Sequence, residues 1–122
     1  MAPAPRILIA EDEESLANLY KLLLERYGYE ICGIVSSGDE AVELFKKTDP
    51  KPDLVILDHR LGKVTGLEAL KEMLKIDPNA KVLFASADDS IMEDAISAGA
   101  IDYIGKPFSM QELVEVIKSC LS

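Results

Sequence analysis

The chain has 122 residues, 48% of them hydrophobic, which fits one folded domain and excludes a disordered chain. Its formal net charge of −9, with no cluster of lysines or arginines, argues against direct binding to nucleic acids or anionic membranes. No apolar run reaches membrane-spanning length and the segment 1–6 is too short for a signal peptide, so we predict a cytoplasmic protein.

The first half of the chain alternates two strands with two helices. We predict the first strand at residues 7–10 and the first helix at residues 13–27, where apolar residues recur at helical spacing and Gly28 ends the pattern. The second strand is predicted at residues 29–35, and the second helix follows Ser37. The inward faces predicted for these helices are Leu16, Leu19, Tyr20, Leu23 and Tyr27 in the first and Ala41, Leu44 and Phe45 in the second.

The second half continues the alternation. Three further strands are predicted at residues 53–57, 81–85 and 101–104. Thr65 is the predicted N-cap of the third helix, the fourth helix is predicted at residues 90–98, and Ser109 caps the fifth. The inward faces predicted here are Leu67, Leu70 and Leu74 in the third helix and Leu113, Val116, Ile117 and Cys120 in the fifth. Cys32 and Cys120 are predicted to be small buried apolar residues rather than a disulfide pair.

The strands read as continuous apolar runs, which indicates burial on both faces and therefore a parallel sheet covered by helices. Right-handed crossovers then give a doubly wound α/β fold with five strands and five helices. We predict the flavodoxin-like strand order 2-1-3-4-5, which places the first strand beside the third.

Acidic residues and one lysine follow three of these strands. Glu11 and Asp12 come after the first strand, Asp58 after the third and Lys106 after the fifth. At the carboxyl edge of a parallel sheet these side chains meet, and that edge is where open α/β sheets bind ligands. Three carboxylates in one small site require a cation, and oxygen ligands favour a hard ion such as Mg²⁺. The nearby lysine indicates that the bound anion is a phosphoryl group.

Several separated motifs resemble the receiver domain of two-component response regulators, in particular the single-domain chemotaxis regulators. They are the acidic pair Glu11-Asp12, Ser37-Gly38-Asp39-Glu40-Ala41, Asp53-Leu54-Val55-Ile56-Leu57-Asp58, Gly66-Leu67-Glu68, Ser86-Ala87, and Gly99-Ala100 through Lys106-Pro107-Phe108. The resemblance runs from Ile7 to about Leu121 and implies a single receiver domain over residues 1–122, acting as a phosphorylation switch and not as a dedicated enzyme. It also implies a sensor histidine kinase and an unidentified downstream protein as partners, and a monomer or a phosphorylation-linked dimer.

By this resemblance, Asp58 is the phosphoacceptor, and Mg²⁺ is bound by Glu11, Asp12, Asp58 and the backbone carbonyl of Arg60. A carboxylate needs no general base to displace a phosphoryl group held in line. The resemblance assigns Lys106 to a phosphoryl oxygen and implies a cis Lys106–Pro107 peptide.

The switch of the resembled family uses two further residues. Ser86 matches the hydroxyl that bonds the phosphoryl group, and Tyr103 matches the aromatic residue that moves inward when that hydroxyl moves. The switched surface would be the face formed by the fourth helix, the fifth strand and the fifth helix. Met110, Val114 and Leu121 lie outside the main stripe of the fifth helix and are either ordinary packing residues or part of an apolar patch on this face.

The chain also departs from the family pattern in the loop after the third strand. Gly62 stands where the family usually has proline, and Thr65 replaces an acid that is common before the following glycine. Arg60 is large for its position, and we predict that it pairs with Asp88 to cover part of the phosphoryl group and slow its hydrolysis.

Three alternatives remain open from the sequence. A magnesium-dependent phosphohydrolase would also use an aspartyl phosphate, but it needs a second acid–base carboxylate and a cap for which the chain is too short. A pseudo-receiver that binds partners without phosphorylation is disfavoured by the retained acids and lysine, and a flavin carrier by the lack of a phosphate-binding loop after the first strand.

His59, beside Asp58, is predicted to be a packed or solvent-facing residue rather than a catalytic one.

Overall fold

The computed structural model describes residues 3–122; residues 1 and 2 of the segment predicted to be too short for a signal peptide lie outside the described residues. The five strands are β1 (Arg6–Ala10), β2 (Glu30–Val35), β3 (Leu54–Asp58), β4 (Val82–Ser86) and β5 (Asp102–Gly105). The five α-helices are α1 (Glu14–Arg26), α2 (Gly38–Lys47), α3 (Gly66–Ile76), α4 (Met92–Ser97) and α5 (Met110–Leu121), and a 3₁₀ turn, Asp89–Ile91, precedes α4. Between residues 3 and 122, none of the helices has both the length and the apolar character needed to cross a membrane.

The strands form one parallel sheet in the order β2-β1-β3-β4-β5, which confirms the predicted topology. The register pairs Ala10 of β1 with Leu57 of β3, and Asp58 of β3 with Ala85 of β4. Because the strands run the same way in this register, residues that follow β1, β3 and β5 leave the sheet at one edge.

Helices cover both faces of the sheet and create two cores. One core packs α1 and α5 against the sheet, around Tyr20, Ile56 and Leu113. The other packs α2, α3 and α4 against it, around Phe45 and Phe84. The three central strands are buried on both sides, as their continuous apolar runs predict, whereas the edge strand β2 is only partly covered. Both cysteines are free thiols; one lies in β2 and the other in the α5 core.

The prediction for the inward face of α1 is partly wrong. Leu19 is 46% exposed and Tyr27 is 52% exposed, while Ala17 and Leu24 are buried together with Tyr20. The buried stripe is therefore centred on an i, i+3, i+7 series that includes an alanine. This helix carries more leucines than one face can bury. A prediction based on large apolar residues alone therefore placed the buried face too far round the helix.

In the carboxyl-terminal third one prediction is corrected, and one alternative left open by the sequence is decided in favour of ordinary packing. The segment predicted as one helix at residues 90–98 is a 3₁₀ turn followed by the short helix α4. Val114 is only 4% exposed and belongs to the α1–α5 core, so it is not part of a surface patch. Met110 and Leu121 pack partly buried against the same core.

The predicted helix caps are confirmed. The Thr65 hydroxyl accepts the Glu68 N–H at 3.2 Å, and the Glu68 carboxylate accepts the Thr65 N–H in return at the same distance. Ser109 and Glu112 form the equivalent capping box at the start of α5. Thr65, which departs from the family pattern, therefore fixes the first turn of α3.

Lys51 is expected to stabilise the end of α2. Its ammonium donates to the carbonyls of Phe45, Lys46 and Thr48 at 2.7, 2.9 and 3.0 Å, which satisfies acceptors that the helix terminus leaves open. We expect Lys51→Met to lower the free energy of unfolding by about 1–2 kcal/mol in urea denaturation. Lys47→Met, at an exposed position on α2, is the matched control, and equal losses in the two variants would contradict the assignment.

Candidate functional site

Three carboxylates meet at the carboxyl edge of the sheet. Glu11 and Asp12 follow β1 and Asp58 ends β3, and one carboxylate oxygen from each lies within 4.8 Å of the others. Glu11 and Asp58 are 4% and 6% exposed, whereas Asp12 is exposed. The structure therefore brings together the three acids named from the sequence, two of them buried and one open to solvent.

Lys106 reaches the same cluster from the loop after β5. Its ammonium lies 2.5 Å from Glu11 Oε1 and 3.3 Å from Asp58 Oδ2, and its side chain is 19% exposed. The Lys106–Pro107 peptide is cis. The lysine thus bridges the two buried carboxylates, and Asp12 adds a third negative charge at the mouth of the site.

Burial and charge shift the pKa values of the central pair. Burial raises the pKa of Glu11, and the charge of Asp58 adds to this increase, although hydrogen bonds from Lys106 and from the Glu13 backbone oppose it. Burial would lower the pKa of Lys106, but its hydrogen bond to Glu11 and the charge of Asp58 outweigh burial and raise it. A single ammonium does not neutralise the repulsion among three carboxylates. A site with such an excess of negative charge binds a divalent cation favourably.

The donor set fits a hard divalent cation. All three side chains offer oxygen, and a cluster of this size matches the hard ligands that Mg²⁺ takes, with water completing its coordination. The Arg60 backbone lies beside the cluster, since its N–H contacts Asp58 Oδ1 at 3.5 Å.

Ser86 and Tyr103 meet at the loop after β4, residues 86–88. Ser86 is buried at the end of β4, and its hydroxyl accepts the Asp88 N–H at 3.0 Å. The Tyr103 hydroxyl donates to the carbonyl of Asp88 at 3.0 Å and to that of Ser86 at 3.3 Å. The hydroxyl and the aromatic residue named from the sequence therefore both hold this loop.

The predicted Arg60–Asp88 ion pair does not form among the residues that the structure describes. Asp88 Oδ1 instead accepts the N–H of Ser90 at 3.0 Å and its hydroxyl at 2.6 Å. These two bonds are the main reason that the pKa of Asp88 is lowered, and the charge of Arg60 contributes less. A partner two residues away holds Asp88 at a smaller entropic cost than an ion pair between exposed side chains.

Gly62 explains the departure from proline in the loop after β3. Its φ of +86° lies in the left-handed region, which glycine adopts readily and which proline, fixed near −65°, cannot. The preceding Leu61 is fully buried and anchors the loop. The loop therefore follows a backbone path that the usual family residue would not permit.

Apolar side chains surround the site, and they were not predicted from the sequence as part of it. Tyr20 stacks on Phe108, with ring centroids 5.9 Å apart, and both line a cavity of about 240 Å³ beside Lys106. Burial raises the pKa of Tyr20, so its hydroxyl stays neutral near the acids. Phe84 of β4 contacts the rings of both His59 and Tyr103. The signal for Phe84 was its position two residues before Ser86, which places both side chains on one face of β4.

Residues 7–118 match the response regulator receiver domain. The chain belongs to this family. It is 40% identical to the chemotaxis protein CheY of Thermotoga maritima over 114 residues, which are 92% of this chain and 93% of that protein. It is 37% identical to the chemotaxis protein CheY of Bacillus subtilis over 121 residues, covering 98% of this chain and 99% of that protein.

Solved structures share the fold. The response regulator protein TrrA from Thermotoga maritima in complex with Mg(2+)-BeF superposes with a TM-score of 0.86 at 35% identity, covering 96% of this chain and 99% of that one. A chain of the CheX-CheY-BeF3-Mg+2 complex from Borrelia burgdorferi superposes with a TM-score of 0.91 at 26% identity, covering 97% of this chain and 90% of that one. The chain is thus a CheY-like receiver domain of two-component signalling.

Proposed function

We propose that this protein is a phosphorylation switch that accepts a phosphoryl group on Asp58 from a sensor histidine kinase, with Mg²⁺ as cofactor. One observation carries the proposal: the carboxylates of Glu11, Asp12 and Asp58 and the ammonium of Lys106 converge in one cluster at the carboxyl edge of the sheet. The Mg²⁺–BeF complexes of its structural relatives support the choice of metal and of a phosphoryl-sized ligand.

The residues divide the chemistry between them. Asp58 supplies the nucleophilic oxygen, a P–O bond forms as the P–N bond to the donor histidine breaks, and that histidine keeps the electron pair. Glu11, Asp12, Asp58 and the carbonyl of Arg60 would hold Mg²⁺, which neutralises charge on the phosphoryl oxygens. Lys106 exchanges its Asp58 contact for a phosphoryl oxygen and remains beside Glu11.

The output is a shift between two arrangements of the loop 86–88. The Ser86 hydroxyl leaves the Asp88 N–H to bond the phosphoryl group, and Tyr103, whose hydroxyl contacts the loop carbonyls, changes position with the loop. The face made by α4, β5 and α5 then presents a changed surface to a downstream protein. Full reversal of such an equilibrium requires about 5.5 kcal/mol, which several charge-assisted bonds to one dianion supply.

The remaining assignments are part of the same proposal. Residues 1–122 act as one receiver domain without a dedicated enzymatic activity, as a monomer or a phosphorylation-linked dimer. A cytoplasmic location stays a prediction from the sequence.

Acetyl phosphate and Mg²⁺ test the proposal directly. The protein is incubated with both and its intact mass is measured, with one phosphoryl adduct expected in the wild type. Asp58→Asn and a reaction without Mg²⁺ are the controls, and neither is expected to gain the adduct. An adduct that persists in Asp58→Asn would refute Asp58 as the acceptor, and turnover of a generic phosphate ester would favour the phosphohydrolase.

Arg60 is expected to slow the loss of the phosphoryl group, although it does not pair with Asp88 in this structure. Arg60 is exposed two residues after Asp58, and we propose that its guanidinium bonds a phosphoryl oxygen. We expect Arg60→Ala to shorten the autodephosphorylation half-life by about two- to fivefold, the effect of one exposed charge-assisted bond. The half-life is measured by loss of the adduct mass, with Lys63→Ala as the control in the same loop, and an unchanged half-life removes the idea.

A further inference from the structure

Three aromatic rings form a continuous row beside the phosphoacceptor. The register places Phe84 of β4 directly opposite Leu57 of β3 and Tyr103 of β5. His59 lies two residues after Leu57 and its ring centroid is 5.7 Å from that of Phe84. The Phe84 and Tyr103 rings are 6.3 Å apart and nearly parallel, at 16°. The residue next to Asp58 is therefore in contact, through one side chain, with the tyrosine that holds the loop 86–88.

The middle ring cannot move freely. Phe84 is fully buried in the core on the α2–α4 side of the sheet, where close packing leaves little space for an alternative position. A change in the contact between Phe84 and His59 therefore alters the contact between Phe84 and Tyr103. Tyr103 rests on Phe84 while its hydroxyl reaches the Asp88 and Ser86 carbonyls, and we call this arrangement the loop-bonded position.

Packing holds the His59 ring in this row. Its Nδ1 is buried and has no hydrogen-bond partner among the described residues. A buried nitrogen without a partner costs free energy, so the ring occupies this place in spite of its polarity. The position of the His59 ring therefore depends on its contact with Phe84 and not on a hydrogen bond from Nδ1.

We propose that His59 is a positioning residue for Tyr103, which it holds in the loop-bonded position through the buried ring of Phe84. This contact sets how often the loop 86–88 is held before any phosphoryl group arrives, independently of the Ser86 hydroxyl. Its consequence for signalling rests on the proposed function, whereas the positioning itself does not.

Fluorine NMR of protein labelled with 3-fluorotyrosine measures the position of Tyr103. The chain has four tyrosines, and the signal lost in Tyr103→Phe assigns the relevant resonance. Without Mg²⁺ or beryllofluoride, we expect His59→Ala to lower the ratio of loop-bonded to released Tyr103 by roughly two- to tenfold, the range of one aromatic contact. His59→Phe, which keeps a ring and lacks the nitrogens, is expected to retain the wild-type resonance.

Two results would overturn the inference. One is a Tyr103 resonance unchanged in folded His59→Ala, with only the free energy of unfolding lowered, since that is the behaviour of an ordinary packing residue. The other is an equal shift in His59→Phe and His59→Ala, which would assign the effect to the imidazole nitrogens. His59 is only half-buried, and His59→Leu provides a second ring-free variant if His59→Ala does not fold.

A separate measurement tests the proposed function independently of the positioning role of His59. Beryllofluoride with Mg²⁺ is added to the wild type, and the proposed function requires that the Tyr103 resonance moves. A wild type that does not respond, together with a shifted His59→Ala resonance, would refute the switch and leave the positioning role in place.

Discussion

Lys106→Met is expected to lower the free energy of unfolding by about 3 kcal/mol at neutral pH without Mg²⁺, because it leaves two buried carboxylates without their counter-charge. Glu11 and Asp58 are both nearly inaccessible to water and both contact the ammonium. Urea denaturation measures the loss. Lys75→Met is the matched control, since Lys75 pairs with Glu72 at 3.2 Å on the exposed surface and such pairs contribute about 0–1 kcal/mol. Equal losses in the two variants would contradict the buried pair.

The loss in Lys106→Met depends on pH in a defined direction. The folded-state pKa of Glu11 is raised above 4.5, the ordinary value of a glutamate, so protonation of Glu11 favours the folded state. The stability that this preference contributes is full below pH 4.5 and is lost as the pH rises through the raised pKa. Removing Lys106 removes the interactions that oppose this increase, so the pKa of Glu11 rises further. The variant is therefore expected to regain stability relative to the wild type as pH falls from 7 towards 5. A difference that stays constant over that range would show that Glu11 is not the group left uncompensated.

The convergence of the three acids and Lys106 could be predicted from the sequence because these residues lie at strand ends. An apolar run buried on both faces specifies a central parallel strand, and the residue after such a run lies at the ligand-binding edge. Glu11 and Asp58 lie at the ends of two central strands of this kind and Lys106 follows the edge strand β5, so their convergence required only the correct strand order. Right-handed crossovers predicted a doubly wound fold, and the flavodoxin-like order was chosen among such folds because it places the first strand beside the third.

The parts that the sequence did not predict depend on competition among similar residues. Leu19 and Leu24 have the same hydrophobicity, and only the packing of α1 against α5 decides which of them is buried. Val114 is drawn into the core for the same reason. Asp88 was paired with Arg60 across the site, but a local bond to Ser90 satisfies it first. The rotation of a helix about its axis and the choice of a polar partner depend on tertiary packing, and residue spacing alone does not determine them.

Among the glycines that the structure describes, Gly66 is expected to be the one whose replacement by alanine is most destabilising, at roughly 3 kcal/mol or more. A Cβ at Gly66 would collide with the carbonyl oxygen of Asp58 and lie 2.7 Å from His59 Cα, both of them backbone atoms that cannot turn aside. The Gly66 N–H also donates to the His59 carbonyl at 2.9 Å, so the first turn of α3 is fastened directly to the end of β3. Relief of the collision requires α3 to move away from the strand that carries Asp58.

Gly28→Ala separates this steric effect from the ordinary cost of replacing glycine. Gly28 has a φ of +89° but nothing within 4 Å of an added Cβ, so its substitution costs about 1–2 kcal/mol of backbone strain alone. Because only Gly66→Ala displaces the Asp58 backbone, only that variant is also expected to lose most of its phosphoryl adduct under conditions in which it remains folded. If urea denaturation gave both variants the same stability and both were phosphorylated equally, the close approach of α3 to Asp58 would not be what requires glycine at position 66.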